Sequence, residues 1–439
     1  MRFIFEKFGL TRPELRAWGM FDWAVSGLQT VIMTAVFPIY FVKVASANIG
    51  ETAGLQHYAR ANVIAMVIVA LIAPFLGAMA DYAAAKKRFL AFFTMLGVIS
   101  TISMLGIDRG DLRLAETLFV LSMVGGTGCM VFYEAILPHI ARPHELDRVS
   151  TGAYGLGYLG GGILVTFNLL WIQKPEWFGL PDTTLPARLA LASVGVWWAV
   201  FALPLFLRVP EPPRTLETDE RQGENVLSVA LRRVIETLRE LRGYRQAFLL
   251  LVAFLIYNDG VSTIIKMATA YGTEIGISQG AMIGAVVLVQ FVGVPFAFIF
   301  GRLATRIGAK HAVLGALGMY VVITVLGYYM RTATHFVVLA GLVGMVQGGV
   351  QSLSRSLFAS MIPPHKSGEF FGFYSVFEKF AGIFGPLLFY VMIEATGSSR
   401  NAILSILVFF VVGAALLWRV DVAEGQRMAR ERTRELVAD

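Results

Sequence analysis

Runs of about 20 apolar residues, each long enough to cross a bilayer's hydrocarbon core, alternate with short polar turns along this chain. The runs fall near 17–43, 58–79, 89–107, 114–137, 152–173, 187–207, 246–271, 280–300, 311–330, 334–360, 371–395 and 400–419. Six precede and six follow an Arg-rich stretch at 208–243. The pattern predicts an all-α membrane protein with twelve transmembrane helices in two six-helix bundles. Its parts are a first bundle over 1–207, a linker over 208–243, a second bundle over 244–421 and a basic tail over 422–439. Within the linker, Leu227, Leu231, Val234, Ile235, Leu238 and Leu241 alternate with Arg232, Arg233, Arg239 and Arg242. That spacing predicts an amphipathic helix over 226–241, suited to an anionic membrane surface.

The two groups of six echo one another. Phe21–Ser26 in helix 1 parallels Tyr257–Ser262 in helix 7, and Gly77-x-Met79-Ala80 parallels Gly301-x-Leu303-Ala304. Both of the latter lead into short basic loops closing at Lys86 and Lys310. Gly152-Ala153-Tyr154 opens helix 5 as Gly372-Phe373-Tyr374 opens helix 11. Parallel six-helix repeats with a substrate path at their interface describe a secondary transporter.

Polar positions inside the runs are ordered. Asp22, Ser26 and Gln29 share one face of helix 1. Asn258, Ser262 and Lys266 share a face of helix 7, with Asp259 and Thr263 beside them. Gln347, Gln351 and Arg355 share a face of helix 10. Each stripe lies on an otherwise apolar helix. Uncharged members serve equally well as bonds between helices, whereas ionisable groups at membrane depth point to a wet pathway. At ~1.5 Å per residue, Gln29, Asn258, Asp259 and Gln347 fall near the membrane centre. Asp22, Glu134 and Arg355 fall ~12 Å to one side by the same rise.

Charge fixes which side that is. About 26 of the 37 Lys and Arg lie in the termini, the linker and the loops on the same side as them, the bias that marks a cytoplasmic face. The expectation is an inner-membrane protein with both termini cytoplasmic. The net charge of +7 and mean hydropathy of +0.66 then belong to topology, with anionic lipid headgroups as partner and no nucleic acid. The single cysteine, Cys129, removes a disulfide or a Cys-based metal site from consideration. All six histidines lie at span ends or in loops, so no buried acid–base set for an enzyme can be assembled. Gly155-x-Gly157-x-x-Gly160 lacks the preceding strand of a nucleotide loop, and no phosphate-binding Gly-Lys-Ser/Thr motif occurs. No cofactor is expected.

Gly77–Arg88 resembles the loop 2–3 signature of the major facilitator superfamily, departing at Tyr82 and Ala84, where Arg and Gly are usual. The second copy keeps Arg306 and Gly308 but has Thr305 in place of the Asp. Phe21-Asp22-Trp23-Ala24, Thr34–Pro38, Tyr158–Gly162, Tyr257–Val261, Gln351–Ser356 and Phe370–Tyr374 resemble the vacuole-effluxer-like branch, whose fungal members export amino acids from the vacuole. The resemblance implies the major facilitator fold, with helices 1, 4, 7 and 10 lining the cavity, and a second inner clamp at Asp81 with Lys86–Arg88.

The expectation for function is a monomeric secondary transporter working by alternating access, proton-coupled, carrying a small polar or zwitterionic solute. Gln29, Asn258, Asp259, Lys266, Gln347 and Gln351 are the candidate substrate residues. Asp259, taken as a carboxylate without a fixed partner, would meet an ammonium group or a coupling proton, and Lys266 or Arg355 a carboxylate. Glu134 is the second candidate for the proton. Asp22, Glu134, Arg355 and Asp81 are the candidate gate, read either as a state-dependent lock or as a permanent brace. A proton-coupled exporter of amphiphilic compounds and a non-transporting scaffold or sensor are the alternatives.

Overall fold

The computed structural model describes residues 5–6, 9–181, 184–213, 229, 232, 234 and 243–438. The linker helix expected over 226–241 therefore lies almost wholly outside the described residues. Among those described, eleven helices are long and apolar enough to cross a membrane, and twelve when one bent pair is counted as a single span. That pair is α1, Pro13–Ala35 continued after a 42° bend as Phe37–Ala45. Residues Leu28–Ala35 are π-helical, and Pro38 sits in the first turn after the bend. A widened turn followed by a residue without an N–H is a sufficient cause of the break.

The other spans are α2 (Glu51–Tyr82), α3 (Lys86–Ser103), α4 (Leu112–Ile140), α5 (Leu146–Gln173) and α6 (Leu185–Arg208). The second bundle follows with α7 (Arg245–Glu274), α8 (Gln279–Ile307), α9 (Ala309–Tyr328) and α10 (Ala333–Ser360). Its last spans are interrupted: α11 runs as Ser367–Phe380 and Phe384–Thr396, and α12 as Ser399–Ser405 and Leu407–Arg419. The basic tail forms a further helix, α13 (Val422–Ala438). Gln426 of α13 donates to Ser360 at the end of α10, and Gln246 of α7 bonds Glu424 at 2.5 Å. Large side chains such as Leu71, Phe92, Val200 and Leu207 stand exposed on the outer faces, as they would toward lipid tails.

α1 packs on α5 and α6, α3 on α4, α8 on α10, and α7 on α12. Between the bundles, α5 lies along α8 and α2 along α11. The second seam is close enough to exclude side chains. A Cβ on Gly77 would stand 2.1 Å from the Gly368 carbonyl oxygen, and one on Gly372 2.6 Å from the Pro74 Cα.

The duplication is visible in how helix ends are satisfied. Lys87 Nζ donates to the Phe206 and Val209 carbonyls at the end of α6. Lys310 Nζ donates to the Trp418 and Val420 carbonyls at the end of α12. Each lysine is the second residue of its helix, so Lys310 pairs with Lys87 rather than with Lys86 as the aligned motifs suggest. The turn before α3 is longer than its counterpart and contains Ala84 at φ 47°, a left-handed conformation that costs a residue with a Cβ about 1–2 kcal/mol. The counterpart turn uses Gly308 at φ 84°. The extra length frees Lys86 for another partner.

Candidate functional site

Three expected gate residues come together on the face that carries the basic loops. Arg355 of α10 is fully buried. Its Nη1 and Nη2 each lie 3.4 Å from Asp22 Oδ2 of α1, and Nη1 lies 3.9 Å from Glu134 Oε1 of α4. The third guanidinium nitrogen, Nε, donates to Ser150 Oγ of α5 at 2.9 Å, while Nη2 also reaches the Ser150 carbonyl at 3.0 Å. Tyr133 donates to Asp22 Oδ2 at 2.9 Å. Aromatic rings enclose the cation, with Cζ 4.5 Å from the Tyr154 ring centroid, 5.0 Å from Trp18 and 5.7 Å from Tyr133. Trp18 stacks on Tyr133 at 4.4 Å and donates its indole N–H to the Tyr133 carbonyl, so the rings are held in place. Arg355 belongs to one bundle and every partner just named belongs to the other.

A second tie joins α2 to α11. Asp81 Oδ1 pairs with Lys86, and its Oδ2 accepts the Glu369 backbone N–H at 2.9 Å. A carboxylate from one bundle thus caps the N-terminus of a helix in the other, where the helix dipole favours negative charge. Nearby, Ser367 Oγ donates to the Ala135 carbonyl at 2.8 Å and lies 3.1 Å from His139 Nε2.

Nearer the opposite face, a cavity of ≈190 Å³ lies between α1 and the second bundle. Gln29, Thr34, Tyr271, Gln290, Thr324 and Gln347 bring amide and hydroxyl groups to it, and most of the remaining wall is Ile, Val, Met, Ala, Leu and Phe. Among the described residues, no Asp, Glu, Lys or Arg lines it. Two of the six candidate substrate residues, Gln29 and Gln347, line this cavity. Gln290 was missed, because it stands alone on α8 without a polar stripe.

The other four are placed differently. Asn258 and Gln351 bond each other, Nε2 to Oδ1, at 2.5 Å, and so join α7 to α10. Asp259 is not without a partner. Its Oδ1 accepts the N–H groups of Gly382 at 2.7 Å and Gly385 at 3.0 Å, and Oδ2 accepts that of Phe384 at 3.1 Å. These belong to the break in α11, where the chain leaves the helix after Phe380, passes Gly382 at φ 101° and re-enters at Phe384. The carboxylate caps the second half of α11. Lys266 Nζ donates to the Gly382 carbonyl at 3.3 Å on the same break. The premise that made Asp259 a proton carrier, a carboxylate with nothing to hold it, is corrected by these bonds. Orphan N–H groups at a helix start compete for any acceptor within reach, and a loop in α11 offers three.

Two bundles tied on one face, with a cavity between them toward the other, define a transporter of the major facilitator type. Comparison with known proteins places the chain more narrowly. It belongs to the family described as vacuole effluxer Atg22 like, which matches residues 51–430. The MFS-type transporter YxiO of Bacillus subtilis (strain 168) is 34% identical over 410 residues, covering 93% of this chain and 94% of its own length. Autophagy-related protein 22-1 of Aspergillus niger is 26% identical over 308 residues, 66% of this chain but only 49% of its own. Among solved structures, the proton:xylose symporter XylE bound to 6-bromo-6-deoxy-D-glucose superimposes with a TM-score of 0.66 at 15% identity, covering 94% of this chain and 95% of that one. That likeness is one of fold.

Proposed function

We propose that this protein is a proton-coupled transporter of amphiphilic solutes that works by alternating access, and that the conformation described here is closed toward the cytoplasm. The observation that carries the reading is the position of Arg355: a buried cation of one bundle seated among groups of the other, an arrangement that must come apart when that face opens. The distribution of Lys and Arg supports assigning that face to the cytoplasm. The cavity supports the substrate class. Amide and hydroxyl groups on apolar walls suit a solute with an apolar body and a few hydrogen-bonding groups. A zwitterion such as an amino acid requires a charge at each end, and the residues expected to provide them are engaged elsewhere: Asp259 and Lys266 on the α11 break, Arg355 in the closed face.

Charge balance supports proton coupling. Two carboxylates face one guanidinium in a buried site, the nearby Glu378–Lys379 pair of α11 adding no net charge, and an uncompensated buried charge costs several kcal/mol, roughly. Glu134, at the longer distance, is the group we assign to carry a proton while Asp22 keeps the ion pair. Opening the face withdraws Arg355 and changes that balance, which couples the proton to the conformational cycle.

The test is uptake into proteoliposomes under an imposed pH gradient, comparing a fluorescent amphiphile with neutral amino acids. Amphiphile transport that follows the gradient and is lost in Glu134→Gln is the expected result. Gradient-driven transport of amino acids without movement of the amphiphile overturns the substrate class, and transport indifferent to the gradient overturns the coupling.

A further inference from the structure

The side chains described against the Arg355 guanidinium come from the first bundle, with the Glu378–Lys379 ion pair of α11 near Glu134. Trp18 and Asp22 come from α1, Tyr133 and Glu134 from α4, Ser150 and Tyr154 from α5. Three aromatic faces lie 4.5–5.7 Å from the centre of the cation. Two carboxylates and a Ser side-chain oxygen surround its nitrogens at 2.9–3.9 Å. Aromatic faces attract cations through the ring quadrupole, more strongly where water is excluded, and quaternary ammonium groups are bound in cages of this kind. Only the occupant is unusual. It is a side chain of the other bundle, and it leaves with α10 if the two bundles separate on this face.

We infer that this cage is a binding site for an organic cation, a guanidinium or ammonium group on the transported solute, and that Arg355 is its tethered occupant in the closed state. The inference rests on the alternating-access reading, since a permanently closed face never vacates the cage. Asp22 lies seven residues from the cavity-lining Gln29 on α1, ~10 Å along the helix. A solute with an apolar body in or near the ≈190 Å³ cavity would therefore find, further along the same helix, a second site for its charge. Cation and Arg355 exclude one another, so solute in the cage holds the face open and its departure lets the face close.

The donor set gives the order of affinity. A guanidinium can reproduce the bonds Arg355 makes to Asp22 and Ser150. A tetramethylammonium ion keeps the aromatic contact but donates no hydrogen bond, and so binds more weakly. Urea matches the guanidinium in shape without the charge and gains nothing from the carboxylates. Sodium is too strongly hydrated to exchange its water for ring faces.

The experiment uses the full-length protein in detergent. Methylguanidinium, tetramethylammonium, urea and sodium are titrated at equal millimolar concentrations against wild type, Arg355→Ala and the double variant Arg355→Ala/Asp22→Asn. In Arg355→Ala the cage is vacant, and methylguanidinium is expected to raise Tm by several degrees, at least threefold more than in wild type. Tetramethylammonium should raise it less, with no shift from urea or sodium and none in the double variant. Equal shifts in all three proteins, or urea as effective as methylguanidinium, overturn the inference.

A second measurement does not depend on Arg355→Ala folding. Ser367→Cys in a Cys129→Ala background places a thiol at a position buried at the bundle interface, and maleimide labelling reports its exposure. Methylguanidinium is expected to increase the labelling rate at least threefold, and Asp22→Asn to abolish that increase. If labelling responds to a transported amphiphile but not to methylguanidinium, the cation site is refuted and alternating access stands. If labelling responds to neither, alternating access itself fails, and the inference with it.

Discussion

Replacing Asp259 tests whether the acid on α7 serves the solute or the helix beside it. Asp259→Ala removes the acceptor for three backbone N–H groups. Gly385 is buried, so its N–H is left without a partner, at a cost of about 1–3 kcal/mol. Gly382 and Phe384 are more open, and water replaces their lost bonds at a further ~1 kcal/mol each. The sum is ~3–5 kcal/mol, which also releases the second half of α11 from α7. Asp259→Asn is milder. An amide oxygen placed at the Oδ1 position keeps the Gly382 and Gly385 bonds, but the amide nitrogen then points a donor at the Phe384 N–H. One bond to a charged acceptor is lost, ~1.5–3 kcal/mol. Thermal unfolding in detergent, followed by tryptophan fluorescence, should therefore rank wild type above Asp259→Asn above Asp259→Ala. Gly385→Ala should resemble the last, because its Cβ would lie 1.8 Å from Thr263 Oγ1. If both Asp259 variants melt like wild type yet fail to transport, the carboxylate acts on the solute and the capping argument is wrong.

Two further outcomes follow from the closed face and the repeated helix ends. Gly77→Val sets a side chain against the Gly368 carbonyl, which as backbone cannot turn aside; the α2–α11 seam should part, so labelling of Ser367→Cys in the Cys129→Ala background should rise severalfold, and unchanged labelling would show that the seam tolerates a gap. Lys87→Ala and Lys310→Ala each remove two bonds to helix-terminal carbonyls; each should lower stability by about 2 kcal/mol, measured as Tm shifts of similar size, and a shift from only one of them would break the equivalence.

Much of this was legible in the sequence, for physical reasons. Span number and the two groups of six follow from the length of apolar chain a bilayer demands. Asp22, Glu134 and Arg355 could be brought to one depth because helical rise is constant, and opposite signs at one depth favour contact. The aromatic cage was missed, since Trp18, Tyr133 and Tyr154 read as ordinary apolar positions until Arg355 is placed between them. Asp259 was misjudged because its partners are backbone groups, invisible in side-chain patterns. The signal that existed was Gly382-x-x-Gly385-Pro386, a combination that interrupts a helix, inside what looked like one uninterrupted span. The α13 helix was passed over for a similar reason: its charges drew attention, while Val422, Met428 and Ala429 supply the inward face.

The added length in the turn between α2 and α3 makes the two seams of the molecule unequal. In the first copy it lets Lys86 reach Asp81, and Asp81 reaches across to the start of α11. In the second copy Thr305 stands where the acid would be, and its hydroxyl turns back to the Arg302 carbonyl of its own helix at 2.7 Å. Where α5 meets α8, small residues provide contact instead, a Cβ on Gly301 falling 2.5 Å from Thr151 Oγ1. On the alternating-access reading proposed above, the edge that adds a carboxylate tie to its close glycine contact, α2–α11, would serve as the latch, and the edge held here by packing, α5–α8, as the hinge.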